Sequence, residues 1–414
     1  MKVLIVNTSD IEGGAARAAY RLHKALLTKG VDSQMLVQSK SSDDFTVLGP
    51  QTKFQKAMGK LRPTLDSIPV RRYPERTKTL FSPSWVPFAG LVDKINALNP
   101  DVVHLHWIAG GMMRIEDIAR IRAPVVWSLH DMWAFTGGCH YDEECGKFKN
   151  SCGSCPVLAS AKENDLSSKV LQRKQVSFKQ HTNLTIVGLS NWLAKEAKSS
   201  TLFKNTSVVN LPNPIDMSSF APFCKQQART LFKLPGDKKL VLFGAMGATS
   251  DPRKGFKELA QALDHLPAEY ELVVFGSSEP EISQGFKQKS HYIGHLHDDV
   301  SLRVLYSAAD VMVVPSLQEA FGQTASESMA CGTPVVAFGA TGLLDIVDHQ
   351  QTGYLAEPFN TQDLANGINW VLQHQSPDKL ADNARQKVLE NFESSLVASK
   401  YIDLYREVLS KEKE

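Results

Sequence analysis

Cysteine is scarce in this chain, neither sign of charge dominates, and no apolar run approaches the length of a bilayer span. Six cysteines in 414 residues are too few for a disulfide-built secreted scaffold. Forty-six Lys and Arg stand against 44 Asp and Glu, a formal net charge of +2. That excludes the strongly basic face that bulk nucleic-acid binding requires, so nucleic acid is not an expected partner. The first residues, Met1-Lys2-Val3-Leu4-Ile5-Val6-Asn7, carry one Lys and a short apolar core. They read as a first strand rather than a signal peptide, and a cytoplasmic, soluble protein is expected. The loop at 9–15 also lacks the G-x-G-x-x-G spacing of a dinucleotide-binding dehydrogenase. What remains is 43% apolar and 22% charged residues, an ordinary globular balance in a chain long enough for two or three domains.

Short apolar strands alternate with helical patterns along the chain. The first series has strands at 3–6, 34–38, 101–106, 124–129 and 184–189. A polar glycine loop at 9–15 leads into a helix at 16–28, and Gly30 sits where a helix C-cap belongs. After Leu211-Pro212-Asn213-Pro214, a linker by its two prolines, a second series runs through 239–243, 271–275, 292–293, 311–314 and 334–337. Continuous apolar strands of this kind belong to parallel sheets covered on both faces. The expected class is α/β, with two doubly wound Rossmann-like domains facing across a cleft. Ligands bind outside the carboxyl ends of such strands. The expected divisions are 1–212, with a Cys-rich insert at 136–157, then 213–390, then a C-terminal helix at 391–414. That helix is apolar at Leu396, Tyr401, Leu404, Tyr405 and Val408, and is expected to pack back toward the first domain.

The sharpest local pattern is Pro315-Ser316-Leu317-Gln318-Glu319-Ala320-Phe321-Gly322-Gln323-Thr324-Ala325-Ser326-Glu327, directly after the strand Val311-Met312-Val313-Val314. Gly322 permits a sharp turn and a helix is expected from about Thr324. Its unpaired amides and dipole suit a diphosphate. Glu327, one turn in, suits both hydroxyls of a ribose, and Glu319, in the loop before, suits sugar hydroxyls. Read from the residues alone, Thr324-x-x-Glu327 is equally a capping box and Glu319 a solvated loop acid.

Two glutamates eight apart, with Phe321-Gly322 between them and Ser328-Met329-Ala330-Cys331-Gly332-Thr333-Pro334-Val335-Val336 after them, resemble the signature of the retaining GT-B glycosyltransferases of family four. The resemblance extends over nearly the whole chain and is strongest at 311–354. It implies that Glu327 holds the nucleotide ribose, that Glu319 holds the donor sugar, and that Phe321, Gly322, Gln323 and Thr324 line the sugar and phosphates. Asp251-Pro252-Arg253-Lys254-Gly255-Phe256 resembles the family's Lys-Gly element, in which Lys254 stabilises the departing diphosphate. The Arg that usually precedes it is missing from 244–249, which leaves Arg253 as the candidate substitute. Glu12-Gly13-Gly14-Ala15 resembles the first glycine loop, placing Gly13 and Gly14 at the phosphates. His130-Asp131, at the end of a strand, resembles the pair whose His meets the donor sugar and the reaction centre. His104 and His106 alternate with Leu105 and therefore share one face. The catalytic candidates are His130, Lys254 and Glu319, with no metal or other cofactor required for catalysis. No nucleophile is implied, since the leaving phosphate can deprotonate the acceptor.

Cys139, Cys145, Cys152 and Cys155 form a cluster, with His140 beside it. Four thiols including a Cys-x-x-Cys pair suit a structural zinc, and two disulfides or four free thiols are the alternatives. A similar insert occurs in enzymes resembling the colanic-acid and exopolysaccharide branch. The stretch 53–78 combines Lys53, Lys56, Lys60, Arg62, Arg71, Arg72, Arg76 and Lys78 with Phe54, Met58, Leu61, Leu65 and Val70. It suits peripheral contact with an anionic membrane at its inner face, or a plain amphipathic helix pair. The expected partners are a UDP or GDP sugar and a saccharide or lipid-linked acceptor. The implied activity is transfer of a hexose in polysaccharide or lipopolysaccharide biosynthesis. A GT-B nucleotide-sugar epimerase and a non-catalytic sugar-nucleotide-binding subunit are the competing readings.

Overall fold

Runs rich in valine and isoleucine supply the strands of the first folding unit, Met1–Pro212 with Val397–Glu414. The computed structural model describes residues 1–87, 90–181, 183–245, 247–277 and 286–411. In this unit β1 (Lys2–Ser9), β2 (Asp32–Ser39), β3 (Val47–Leu48), β4 (Val102–Leu105), β5 (Val125–Leu129), β6 (Leu184–Gly188) and β7 (Ser207–Asn210) form one sheet, ordered β3-β2-β1-β4-β5-β6-β7. Every neighbouring pair is parallel. β4, β5 and β6 are buried along their whole length, as a sheet covered on both faces requires.

The second unit, Asn213–Leu396, repeats the plan. Its strands are β8 (Leu240–Gly244), β9 (Glu271–Phe275), β10 (Ser290–Gly294), β11 (Val311–Val314), β12 (Val335–Phe338) and β13 (Gly353–Ala356), ordered β10-β9-β8-β11-β12-β13 and all parallel. The strand order reverses between β1 and β4 in one sheet and between β8 and β11 in the other. The crevice at the carboxyl ends of such a pair is where doubly wound sheets bind ligands.

The strands read from sequence are present with ends shifted by at most three residues, the largest shift being at the end of β1. β3, β7 and β13 are additional. All three lie at sheet edges, where burial is partial, and β7 has no buried residue. The first helix begins at Gly14 rather than residue 16, with Gly13 as its N-cap.

The last helix, Ser394–Lys411, lies against the first sheet. Val397, Tyr401, Tyr405 and Val408 join one core with Val3, Ile5, Val102 and Val126. Its two buried tyrosines also make polar bonds. The Tyr405 hydroxyl is 2.7 Å from His104 Nδ1 and the Tyr401 hydroxyl 3.0 Å from Ser128 Oγ, while Ser128 Oγ reaches His104 Nε2 at 2.8 Å. Every polar atom of this buried set therefore has a partner. Residues 412–414 of the expected helix lie outside the described residues. Among the described residues no helix is long and apolar enough to cross a membrane.

Candidate active site

In the second unit, the loops after β8 and β11 meet at the switch point. After β8 the chain makes a single 3₁₀ turn, Pro252–Lys254, capped by the Asp251 carboxylate, which accepts from the Arg253 amide at 3.0 Å. Gly255 then turns with φ 75°, and a Cβ there would lie 1.8 Å from the Pro315 carbonyl oxygen. Only glycine lets this turn come so close to the end of β11. The Leu317 amide completes the join by donating to the Arg253 carbonyl at 2.9 Å.

The close approach brings the predicted cations and acid together. Lys254 Nζ stands 2.7 Å from Glu319 Oε2, and both side chains are mostly buried, 18% and 15% exposed. Arg253 donates to the Gln318 carbonyl at 2.9 Å, pairs with Asp251 at 2.9 Å and lies 4.0 Å from Glu319. Ser316 Oγ is 3.3 Å from the same Glu319 oxygen. Burial pushes the Glu319 carboxyl up, but the Lys254 ammonium, the Arg253 guanidinium and the Ser316 hydroxyl outweigh it and hold the group below its ordinary range. Glu319 is thus a charged, clamped carboxylate rather than a solvated loop acid. Arg253, the candidate substitute for the missing arginine, is bonded into the same cluster.

The helix after β11 is Gln323–Ala330, one residue earlier than expected. Its N-cap is Gly322, at φ 104°, and no side chain caps it. Thr324 lies inside the helix, so the Thr324–Glu327 capping box is not formed. The first-turn amides, which have no intrahelical acceptor, are left without a side-chain cap. Glu327 is buried, 3% exposed, and is held by the Tyr306 hydroxyl at 2.9 Å and Gln323 Nε2 at 3.2 Å. Phe321 is 2% exposed and packs edge-on against Phe392, so only its backbone is available to a ligand.

In the first unit, the ends of β1, β4 and β5 carry the other candidates. Gly13 caps the helix Gly14–Thr28 at φ 96°. Asn7 Oδ1 accepts from the Trp107 amide at 2.8 Å, tying the end of β1 to that of β4. Asp10 accepts from the Ser41 and Ser42 amides, and these bonds overcome its burial to hold its carboxyl below the ordinary range. His130 Nε2 is 2.8 Å from His106 Nδ1, and the His104 and His106 rings lie tilted at 38° with centroids 4.3 Å apart. Burial pushes His130 down to about 4, with Asp131 opposing, so the imidazole is neutral at pH 7. Asp131 is a hub: it accepts from Trp107 Nε1 at 2.8 Å, from the Trp133 amide at 2.8 Å and pairs with His140 Nδ1 at 2.6 Å. It fixes the strand end rather than offering its carboxylate to a ligand.

The structure therefore gathers Arg253, Lys254, Glu319, Gly322, Gln323, Thr324 and Glu327 at one switch point of the second unit, and Gly13, Gly14 and His130 at that of the first. Tyr306, Asp251 and Ser316, which hold these side chains in place, were not read from the sequence. Tyr306 sits on the helix Asp299–Ala308, and nothing local ties it to Glu327.

The basic stretch is only partly a surface. Phe54 and Leu61 are exposed (75% and 47%) on the helix Lys53–Asp66, as are Lys53, Lys56 and Lys60. Arg62 is buried, donating to the Gly111 and Val86 carbonyls at 2.6 and 3.1 Å. Val70 is buried as well.

Residues 12–218, half the chain, match the profile of "Glycosyltransferase Family 4", and residues 225–387 match "Glycosyl transferases group 1". The chain is 31% identical to an uncharacterized glycosyltransferase of Methanocaldococcus jannaschii over 41% of its own length and 45% of that protein's. It is 37% identical to a D-inositol 3-phosphate glycosyltransferase of Xylanimonas cellulosilytica over 62% and 60%. The chain thus spans less than two thirds of the length of these relatives. Among solved structures, HepE of Anabaena in complex with UDP and glucose shares the fold at a TM-score of 0.66 and 18% identity, over 98% of this chain and 99% of that one.

Proposed function

The chain belongs to Glycosyltransferase Family 4 and has the GT-B fold, and from that premise we propose that it moves a sugar, with retention of configuration, from a nucleoside-diphosphate sugar to a saccharide or lipid-linked saccharide acceptor. The carrying observation is the Lys254–Glu319 pair at 2.7 Å, beside a helix start that no side chain caps. In this reading the donor diphosphate lies on the first-turn amides of Gln323–Ala330. Glu327, already oriented by Tyr306 and Gln323, accepts the ribose hydroxyls. Glu319 accepts hydroxyls of the donor sugar, and its charge holds Lys254 and Arg253 at the place where negative charge grows as the glycosidic C–O bond breaks. Cations fixed in advance at that position lower the barrier because no solvent has to reorganise during the step.

The acceptor oxygen bonds to the anomeric carbon on the face that the diphosphate leaves, and its proton passes to the departing phosphate. No protein nucleophile is needed, which agrees with the engagement of Glu319 by Lys254. His130, neutral and held by His106, would meet a sugar hydroxyl through its remaining ring nitrogen. The donor nucleotide is UDP or GDP, and the UDP bound to HepE favours UDP. A hexose transferred at the inner face of the membrane, in the assembly of a surface polysaccharide, suits the exposed mixture of Phe54, Leu61 and lysines on the helix Lys53–Asp66.

Thermal-shift screening against UDP-, GDP- and ADP-sugars, followed by transfer assays with the stabilising donor, tests this reading. A stabilising nucleotide sugar, and transfer lost on Lys254→Ala, are expected. Isomerised donor without any acceptor would instead point to an epimerase, and no stabilisation by any nucleotide sugar would end the proposal.

A further inference from the structure

Residues 130–165, between β5 and the helix Leu166–Lys179, contain no regular element beyond two single 3₁₀ turns, Trp133–Phe135 and Lys147–Lys149. Glu143, Glu144 and Ser154 take positive φ there, at 49°, 62° and 42°. So long an irregular segment at a core is uncommon unless something fastens it. Apolar packing holds the start of the segment, where Met132, Trp133, Ala134 and Phe135 are buried and Phe135 packs edge-on against Phe148; around the cysteines it is thinner, a small cluster of Val70, Phe81, Val157 and Leu158 of which Cys139 and Cys155 are themselves members.

All four clustered cysteines, Cys139, Cys145, Cys152 and Cys155, line one cavity of about 20 Å³. That is room for a single water-sized occupant. None of the four is in a disulfide. The backbone aims donors at the sulfurs: the amides of Val157 and Leu158 donate to Cys155, and that of Gly137 to Cys152. A Cβ on Gly137 would sit 2.9 Å from Cys152 Sγ, so this approach also needs glycine. Burial favours the thiol, pushing Cys152 up to about 11 and Cys155 up as well, and these amides act against it in favour of the thiolate. Of the other ligand types nearby, Asp142 also lines the cavity and accepts from the Gly146 amide at 2.9 Å, and His140 is bonded to Asp131 and Ser82, at 2.6 and 2.8 Å.

Charge points the same way. Lys174 is fully buried beside Cys139 and Cys152. It donates to the carbonyls of Trp133 and Thr136 and lies 3.9 Å over the Trp133 ring. No carboxylate forms an ion pair with it among the described residues, although the Asp131 charge acts on it. Four thiolates on one divalent cation would carry a net charge of minus two, and Lys174 is the cation that stands beside them.

We propose that Cys139, Cys145, Cys152 and Cys155 bind one structural zinc ion, with Lys174 as its counter-charge. Soft thiolates in a closed four-ligand set select zinc, and such a site leaves no open position for catalysis. Among the described residues no three ligand-type side chains already stand at binding distance around one point, and the site forms only if the cysteine side chains turn onto the ion. The ion would fasten the insert to the end of β5, because His140 and the Trp133 amide both bond Asp131, next to His130. It is therefore a positioning device.

The test is the zinc content of the full chain, expressed with zinc and purified under reducing conditions. One zinc per chain is expected in the parent and in Cys224→Ser, and none in the Cys152→Ser/Cys155→Ser double variant. If the double variant does not fold, cobalt substitution of the parent decides: the intense visible bands of tetrahedral thiolate cobalt support the site and their absence overturns it. Two disulfides among the four cysteines, four freely alkylated thiols in a metal-free native chain, or an iron–sulfur chromophore would each overturn the proposal.

Discussion

Replacing Lys254 with Ala leaves Glu319 in its mostly buried place without its closest cation. An exposed ion pair is worth up to about 1 kcal/mol, and removing one partner of a fully buried pair costs about 3–5 kcal/mol. With side chains 18% and 15% exposed and Arg253 still 4.0 Å away, the second unit should lose about 2–3 kcal/mol near neutral pH. The pH dependence carries the diagnosis. In the parent chain Glu319 is held below its ordinary range, so its contribution is present above the unfolded carboxyl's pKa and is lost as pH falls through the folded one. Without Lys254, burial dominates and the folded carboxyl rises. The lone charge then destabilises at neutral pH and is relieved by protonation as the medium is acidified. The difference in stability between parent and variant should therefore shrink from about pH 8 toward about pH 5. Lys254→Ala/Glu319→Gln should cost less than Lys254→Ala alone. Hydrogen-exchange protection of β8 and β11 reports the second unit by itself. A cost that is flat across that pH range, or a double variant as unstable as the single one, would refute the reasoning.

Glu327→Gln removes the charge that would accept the ribose hydroxyls, and should weaken nucleotide binding by about 1.5–3 kcal/mol, roughly ten- to a hundredfold, in calorimetric titration; Tyr306→Phe should weaken it less. Burial pushes His104 down to about 3 and His23 to about 4, against 6.5. Below pH 6.5 the unfolded chain takes up protons that the folded one refuses, so the first unit should lose stability from about pH 6.5 downward, by about 2 kcal/mol at pH 5 for one such histidine; melts across that range check it. Tyr405→Phe strips His104 Nδ1 of its partner and should cost the first unit about 1–2 kcal/mol, with nucleotide affinity unchanged by titration.

The two parallel sheets were legible because buried strands such as β11 and β12 are unbroken apolar runs. Edge strands β7 and β3 were not: β7 is Ser-Val-Val-Asn with no buried residue, and β3 is only two residues long. At the site, Glu319, Glu327 and Lys254 stood out because their spacing around Phe321-Gly322 and before Gly255 is local. What holds them was invisible, since Tyr306 comes from another helix and Ser316 is an ordinary loop serine until the fold aims it. The Thr324–Glu327 spacing was ambiguous for a physical reason. A capping box and a buried carboxylate inside the first turns have the same sequence, and the left-handed Gly322 decides between them by starting the helix at Gln323. Arg62 shows the converse: it reads as one more solvated charge, yet two carbonyls, from 49 and 24 residues away in the chain, bury it.

A crystal of the chain grown with UDP addresses the central assignment most directly. The account predicts the diphosphate on the opening amides of Gln323–Ala330, with the ribose on Glu327 and Lys254 within reach of a phosphate oxygen. Nucleotide bound elsewhere, with that helix start unoccupied and Lys254 still locked on Glu319, would contradict it.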